Sequence, residues 1–427
     1  MRNGTTQQCV MFPELFDQPL IARFRDGRQA GKVMHTLHDL IRQRVFAIAC
    51  GYADCNDAAR LADDPIQKLL VDRDPIEGEA LASQATLSRF ENAAGPKVLY
   101  RMGEALADAV IERQRRGRRG KAKRITVELD PTDDPTHGAQ QLTLFNGHYD
   151  TWCYLPVAGF IRFDEEPEQY LFTYVLRSGK APAKLGAIGI LKRVLARLRA
   201  AFPKAQLRVR LDGGFAYPEM LDFLEAEAVQ YVVAMAGNAV LDRASEPWMK
   251  HARHASAHSG HTEHVYAECR YAANTWAAPR RIIIKAEVVR LEGREPRDNA
   301  RYVITNLGTG PKHVYEDIYC QRAEIENRIK ELHHGLEIDR TSCTRFWANQ
   351  LRVLLTAAAY VLMQELRASA AATECARAQV STLRERLLKL GVWVQRSVRR
   401  IVLHLPQYAP WRSDWCRVAR CLGAAPG

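Results

Sequence analysis

An alternation of strand-like and helix-like segments after residue 124 restricts the fold of this chain more than any other feature. Runs rich in β-branched and aromatic residues predict strands at residues 125–130, 151–160, 170–176, 206–212 and 231–235. Apolar residues at helical spacing predict helices at residues 184–200 and 218–227. Strands in hairpin order, followed by a β-α-β-α-β order, predict an α/β fold.

The segments on either side of this alternation have other patterns. The predicted division is a helical domain at residues 1–112, a basic linker at 113–124, an α/β domain at 125–360 with a β-rich insertion at about 238–310, and a helical, basic region at 361–427. Within the insertion, strands are predicted at 281–289 and 301–306. The first domain is predicted to bind DNA through one of its helices, although on the helical pattern alone an ordinary helical bundle is favoured.

Net charge gives the first indication of function. The chain has 61 Lys and Arg against 49 Asp and Glu, which leaves a formal charge of +12. A basic protein of this size usually binds a polyanion, either nucleic acid or an anionic membrane surface. The most apolar long segment, 351–363, is too short to cross a bilayer and contains Arg352, so we expect a buried helix there and no membrane partner.

The ten cysteines and the N-terminus favour a cytoplasmic protein. None of the cysteines forms a C-x-x-C pair, so neither a zinc site nor a small disulfide scaffold is predicted, and reduced thiols are the expectation. The first fifteen residues lack the apolar core of a signal peptide.

Positive charge is concentrated at residues 113–124, where eight of twelve residues are Lys or Arg and two are Gly. Like charges at this density repel, which predicts a flexible linker or arm. Such runs are often only solvated, but the charge of the whole chain favours contact with a phosphate backbone. The candidate DNA-binding residues in this run are Arg115, Arg116, Arg118 and Arg119.

Two predicted strands end on an aspartate. Alternation along ITVELD leads to Asp130, and alternation along QLRVRLD leads to Asp212, which two glycines follow. Because α/β sheets place reactive groups at strand ends beside loops, neighbouring strands would bring both carboxylates to one point. Asp133 and Asp134 follow closely and are accessory candidates, either orienting a metal-bound water or capping the next turn.

A third carboxylate comes from a predicted helix at residues 315–332. At 100° per residue, four residues fall within an arc of roughly 80°: Tyr319, Arg322, Glu326 and Lys330. An apolar stripe beside them can dock on a sheet: Ile318, Ile325, Ile329 and Leu332. An ordinary i,i+4 pair between Glu326 and Lys330 is the alternative explanation. Two Asp and one Glu converging on a point would suit Mg²⁺, which prefers oxygen ligands.

These segments together resemble the DDE transposases of bacterial insertion sequences, specifically group 1. The matching stretches are LDPTDDPTHG, NGHYDTWCYLP, LDGGFAYPEMLDFLE, YEDIYCQRAEIENRIKEL and DRTSCTRFWANQLRVLLTAAAYVL, with GYADCNDAARLADDP and ATLSRFEN nearer the N-terminus. The resemblance covers nearly the whole chain, and the ordered set is more specific than any single motif.

The resemblance implies an RNase H-like catalytic core with a β-rich insertion before the glutamate helix. It implies DNA cleavage and strand transfer at terminal inverted repeats, on double-stranded DNA and target DNA, by a homodimer in the bacterial cytoplasm. Asp130, Asp212 and Glu326 fall where the family places its catalytic metal ligands. We expect Asp130 to bridge two Mg²⁺ ions, for which Mn²⁺ can substitute. Tyr319 and Arg322 keep the family spacing for holding DNA.

The chain departs from the family pattern at two places. The lysine of the helix signature usually lies seven residues past the glutamate, where His333 stands here, and Lys330 lies one turn past Glu326 instead. The second aspartate is often followed by Ser-Gly-Phe, whereas this chain has Gly213-Gly214-Phe215, which keeps a tight turn without the hydroxyl. Neither change removes a predicted metal ligand.

Other candidate sites carry weaker signals. Five histidines at residues 251–264 have spacing that resembles a zinc site, but a solvated loop of the insertion is the preferred prediction. Trp276 is predicted to be a core residue rather than a base-stacking one. Arg399, Arg400 and the region to Arg420 are consistent with phosphate contacts or with an ordinary surface.

A non-catalytic DNA-binding protein and an RNase H-like nuclease are the alternative functions.

Overall fold

The structure, a computed structural model, describes residues 28–398 and 400–424, and a large mixed sheet forms its centre. The strands of these residues are β1 (Arg124–Pro131), β2 (Asp134–Pro135), β3 (Leu144–Asn146), β4 (Thr151–Tyr154), β5 (Val157–Phe163), β6 (Gln169–Val175), β7 (Gln206–Leu211), β8 (Gln230–Met235), β9 (Glu263–Tyr271), β10 (Arg280–Val289), β11 (Arg297–Thr305), β12 (Trp393–Arg396) and β13 (Ile401–His404).

The order of the strands agrees with the predicted α/β core. The main sheet runs β6-β5-β1-β7-β8-β11-β10-β9. Strand β1 pairs antiparallel with β5 and parallel with β7, which is parallel to β8. A hairpin unit followed by parallel strands, with helices on the sheet, is an RNase H-like arrangement and confirms the predicted fold class.

Helices cover the sheet. Those of the described residues are α1 (Leu37–Ala49), α2 (Ala58–Leu61), α3 (Pro65–Leu70), α4 (Gln84–Ala93), α5 (Pro96–Gly117), α6 (Ala187–Ala201), α7 (Pro218–Ala226), α8 (Ala239–Ser259), α9 (Pro311–His313), α10 (Ala323–Leu336), α11 (Phe346–Ser369), α12 (Val380–Leu383) and α13 (Arg412–Cys421). None of the helices in this part of the chain is long and apolar enough to cross a membrane.

The helix α11 joins the N-terminal helices to the sheet. It contacts α1, α4 and α5 as well as β6. Its buried Gln350 and Gln364 accept hydrogen bonds from the backbone N–H groups of Leu176 and Leu171, at 2.8 and 3.3 Å. These bonds satisfy donors along the edge of the sheet, which would otherwise be open to pairing with another chain. The predicted buried helix at 351–363 is therefore confirmed, and the N-terminal helices share a hydrophobic core with the sheet.

The insertion is β-rich, as predicted, but it begins with a long helix. Asn238 caps α8 by accepting hydrogen bonds from the N–H groups of Val240 and Leu241. The following strands β9, β10 and β11 extend the main sheet through the pairing of β11 with β8. The prediction of a solvated loop at 251–264 is correct in solvent exposure, since all five histidines are exposed, but wrong in structure, because the first three lie on α8 and the last on β9.

The basic run at 113–124 is not the flexible linker that its charge density predicts. Residues 113–117 form the end of α5, residues 118–123 are a short connection, and Arg124 begins β1. Acidic partners offset the repulsion among its cations: Arg113 pairs with Glu365 at 2.8 Å, and Arg115 and Arg116 pair with Glu112 at 2.6 and 2.8 Å.

Two further predictions of secondary structure were incomplete. The single strand expected at 151–160 is two strands of different sheets, β4 and β5, with Pro156 between them. The C-terminal region, expected to be helical, also contains the hairpin β12–β13. Arg399 lies outside the described residues.

Candidate active site

Two of the predicted carboxylates lie at neighbouring strand ends. Asp130 is the last residue but one of β1, and Asp212 directly follows β7. The two strands are parallel, and Glu128 is the register partner of Arg210. Because side chains two residues apart point to the same face of a sheet, Asp130 and Asp212 emerge on one face at one edge.

A third carboxylate reaches this edge from α10. The guanidinium of Arg322, which directly precedes α10, lies 2.5 Å from Asp130 Oδ1 and 3.6 Å from Asp212 Oδ2. The same guanidinium is 3.6 Å from Glu326 Oε1, one turn along the helix. Three segments that are far apart in the sequence thus place their carboxylates around one cation.

The helix that carries Arg322 and Glu326 is regular only from Ala323 onward. A π-helical turn (Val314–Tyr319) and a 3₁₀ turn (Cys320–Arg322) connect α9 to α10. Such changes of winding leave backbone carbonyls without helical partners and are common at functional sites. Here Arg210 of β7 donates to the carbonyl of Ile318 at 2.5 Å, which ties the irregular turn to the sheet.

A buried polar network lies directly beneath the three carboxylates. Glu128 accepts hydrogen bonds from Arg210 Nε at 2.7 Å and from Gln169 Nε2 at 2.5 Å. Arg162 of β5 donates to Gln321 Oε1 at 2.8 Å. These bonds connect four strands, β1, β5, β6 and β7, with the turn that contains Gln321. They attach the turns that lead into α10 to the sheet.

The electrostatics of the two aspartates are unfavourable without further positive charge. Burial raises the pKa of Asp130 to about 7, Arg322 opposes this rise, and the negative charge of Asp212 adds to it. Burial also raises the pKa of Asp212, again against the effect of Arg322. One guanidinium therefore does not offset the cost of holding these carboxylates charged at a partly buried site.

The donor chemistry fits a hard divalent cation, since Mg²⁺ binds carboxylate oxygens and water. The conformation, however, places Arg322 between the carboxylates. Among residues 28–398 and 400–424, no group of three or more His, Cys, Asp or Glu side chains is placed to hold a metal ion. A cation is thus present at the centre of the site, and it belongs to the chain itself.

The remaining residues of the helix signature have different surroundings. Tyr319 is half-buried, and its ring packs against Tyr315 with the centroids 5.4 Å apart. Lys330 is exposed, and Glu326 pairs with Arg322 rather than with Lys330 as the alternative explanation proposed. His333, at the position where the family pattern has lysine, lies 3.2 Å from Asp339.

The two accessory candidates differ from each other. Asp134 is fully buried in β2, and its Oδ1 accepts a hydrogen bond from Thr341 Oγ1 at 2.9 Å. Burial raises the pKa of Asp134 well above its usual value. This carboxyl group anchors the segment before α11 and does not cap the next turn. Asp133 is only partly buried.

The basic residues at the end of α5 are remote from the carboxylates. They precede β1, and Asp130 is six residues into that strand, a distance of about 20 Å at 3.3 Å per residue. Arg115, Arg116 and Arg119 are exposed. Arg118 pairs with Glu166, and its guanidinium carbon lies 4.5 Å from the ring centroid of Phe163, so it is the least available of the four.

Residues 14–425 match the family described as transposase DDE domain group 1. The chain belongs to this family. The match spans nearly the whole chain, as the resemblance predicted, and family membership implies nuclease and transferase activity on DNA in general terms. Comparison with curated proteins finds no match.

Sequence reasoning about this transposase missed one group of side chains beside the carboxylates. The hairpin β3–β4, which follows β2, exposes Phe145, Tyr149 and Trp152. Burial raises the pKa of Tyr149, and the negative charges of Asp133, Asp130 and Asp212 raise it further, which shows how near this ring lies to the site. The motif NGHYDTWCYLP contains two of these residues and was used only as a family marker.

Proposed function

We propose that this transposase cleaves DNA at terminal inverted repeats and joins the freed 3′-hydroxyl to target DNA, with Mg²⁺ as the preferred cofactor and Mn²⁺ as a substitute. The observation that carries the proposal is the convergence of Asp130, Asp212 and Glu326 on one cation. Bound there, divalent ions would activate the attacking hydroxyl and stabilise the leaving oxygen of a phosphodiester.

Within this proposal each residue has a separate role. Asp130, which is the most buried carboxylate, Asp212 and Glu326 would hold the metal. Arg322 would neutralise these carboxylates before metal and DNA arrive. It would then turn toward a DNA phosphate, for which a guanidinium has well-matched donors.

DNA contacts outside the centre are proposed for exposed cations. Tyr319 lies three residues before Arg322 and Lys330 one turn past Glu326, so both would contact DNA near the scissile phosphate. Arg115, Arg116 and Arg119 lie at the far end of β1 and would contact DNA away from it. Each phosphate contact by a cation should steepen the dependence of log affinity on log salt by about 0.9, so affinities measured across salt concentrations test these assignments. A homodimer bound to two DNA ends is also proposed, and the mass of the protein–DNA complex tests it.

The decisive experiment is cleavage of the DNA that flanks the gene of this protein, with Mg²⁺ or Mn²⁺. Changing Asp212→Asn or Glu326→Gln is expected to reduce cleavage by at least about 100-fold, because even residues that only support metal ligands commonly contribute 10–100-fold. Glu324→Gln is the matched control, since Glu324 is an exposed glutamate of the same helix turn.

The products distinguish the alternatives. Breaks at the repeat ends that are lost in both variants and retained in Glu324→Gln would support the assignment. Products that are hydrolysed but never joined would favour an RNase H-like nuclease. Specific binding without cleavage in the wild type would favour a non-catalytic DNA-binding protein, and unaffected cleavage in Asp212→Asn would refute the metal-ligand assignment.

A further inference from the structure

The hairpin β3–β4 exposes an unusual amount of aromatic surface beside the carboxylates. Trp152 is 57% exposed and Phe145 43%, although both belong to paired strands. They are register partners, and their rings meet edge to face with centroids 6.4 Å apart. Tyr149 lies in the connecting turn and packs edge to face on His148 at 4.8 Å. Exposed aromatic clusters of this kind usually mark a binding surface.

The hairpin is fixed to the strand that leads out of the site. The N–H and the hydroxyl of Thr136 both donate to the carbonyl of Trp152, at 2.9 and 3.1 Å. Asp134 is the register partner of Tyr154 in β4. Because β2 follows β1 after only two residues, these bonds hold the backbone of the hairpin close to Asp130.

A loop with two lysines continues this surface toward Asp212. The buried Arg177 organises the loop by donating to the carbonyls of Pro182, Ala183 and Leu185, at 3.1–3.2 Å. Lys180 and Lys184 on this loop are both exposed.

The lysine loop contacts both the hairpin and the turn after Asp212. Asn146 of β3 donates to the carbonyl of Gly179 at 3.0 Å. A Cβ atom at Gly179 would collide with the carbonyls of Cys153 and Leu144, so the loop lies directly on the hairpin backbone. At its other end Ala183 packs so closely on Gly214 that a Cβ there would be 2.9 Å from the Ala183 Cβ. The lysine loop therefore connects the aromatic hairpin with the turn after Asp212.

We propose that the rings of Phe145, Tyr149 and Trp152 stack on unpaired bases of the DNA strand that enters the carboxylate site. The inference rests on the proposed DNA function and adds the form of DNA that the site accepts. Aromatic rings beside basic side chains are the general means of binding single strands, because every base has a face on which to stack. In a duplex those faces are covered by neighbouring base pairs. The lysines would contact the phosphates of the same strand.

The experiment measures binding of fluorescein-labelled 20-base-pair duplexes by anisotropy, in EDTA so that no cleavage occurs. One duplex is blunt, one has a six-thymidine overhang, and one has an abasic overhang of the same length. Stacking contributes about 1–3 kcal/mol per base, so one stacked base should increase wild-type affinity for the thymidine overhang about 5- to 150-fold over the blunt duplex. Trp152→Ala and Phe145→Ala should lose most of this increase.

Trp393→Ala is the matched control, because Trp393 is a 75% exposed tryptophan on a separate hairpin, β12–β13, which forms a sheet of its own. It should retain the full increase. Equal binding of thymidine and abasic overhangs, no increase in the wild type, or an increase that persists in both Trp152→Ala and Phe145→Ala would each refute stacking. Failure of the wild type to bind any of the duplexes would instead refute the DNA function on which the inference rests.

Discussion

Two neighbouring pairs of residues along β1 and β7 have different roles: the lower level (Glu128 and Arg210) supports the structure, and the upper level (Asp130 and Asp212, with Arg322 and Glu326) forms the candidate site. At the lower level Glu128 and Arg210 form a pair that is almost completely buried, with side chains 1% and 2% exposed. At the upper level, two residues further along each strand, Asp130 and Asp212 meet Arg322 from the helix. The two levels share strands, register and residue types, but they differ in charge balance and in access to solvent.

The charge balance explains the different roles. The lower pair has one carboxylate, one guanidinium and further hydrogen bonds, which is the condition under which buried charges are tolerated. The upper level has three carboxylates and one guanidinium, and Glu326 is 54% exposed. Excess negative charge that solvent can reach suits a site that exchanges its cation, whereas a balanced buried pair suits a fixed scaffold.

The largest effect on stability is expected from removing Arg210, the charged partner of Glu128. Arg210→Met leaves the Glu128 carboxylate buried without its charged partner and the Ile318 carbonyl without its donor, so the free energy of unfolding should fall by about 3–5 kcal/mol. Urea unfolding measures this. Adding Glu128→Gln should restore part of the loss, since no unpaired charge then remains buried. A loss below about 1 kcal/mol would show that the pair is not a structural support.

An intermediate effect is expected from replacing Arg322, the cation between the three carboxylates. In Arg322→Met the carboxylates have no competing guanidinium, so Mg²⁺ should stabilise this variant more than the wild type. At an Mg²⁺ concentration ten times the Kd, binding adds about 1.4 kcal/mol to the free energy of unfolding. Thermal unfolding with and without Mg²⁺ measures the difference, and Arg322→Met combined with Asp212→Asn is the control that should lose it. Greater stabilisation of the wild type would contradict competition between arginine and metal.

The smallest effect is expected from replacing Glu326 in the absence of metal ions. Glu326→Gln should change the free energy of unfolding in EDTA by no more than about 0.5 kcal/mol, because Glu326 is 54% exposed and its i,i+4 contact with Arg322 is long, at 3.6 Å. Urea unfolding in EDTA, beside Glu324→Gln, provides the measurement. A loss comparable with that of Arg210→Met would mean that Glu326 is part of the scaffold and not of the exchangeable site.

Local patterns predicted much of the fold and the candidate site. Alternation along ITVELD and QLRVRLD placed Asp130 and Asp212 at neighbouring strand ends, and the parallel pairing of β1 with β7 agrees with this. The stripe of Ile318, Ile325 and Ile329 is buried, as its spacing predicted. Where charge density alone was used, at 113–124, the prediction failed, because acidic partners both near in sequence, such as Glu112, and far from it, such as Glu365, hold the segment in place.

The sequence by itself determined which residues can lie on one face, since strand and helix periodicity depend only on local backbone geometry. It therefore named the three carboxylates and the helix that carries one of them. Only the tertiary structure decided that Arg322 lies between them, that Arg210 supports the irregular turn before α10, and that the β3–β4 aromatics adjoin the site. Arg322 and Asp130 are 192 residues apart, and no local rule specifies a contact that depends on how the helix docks on the sheet.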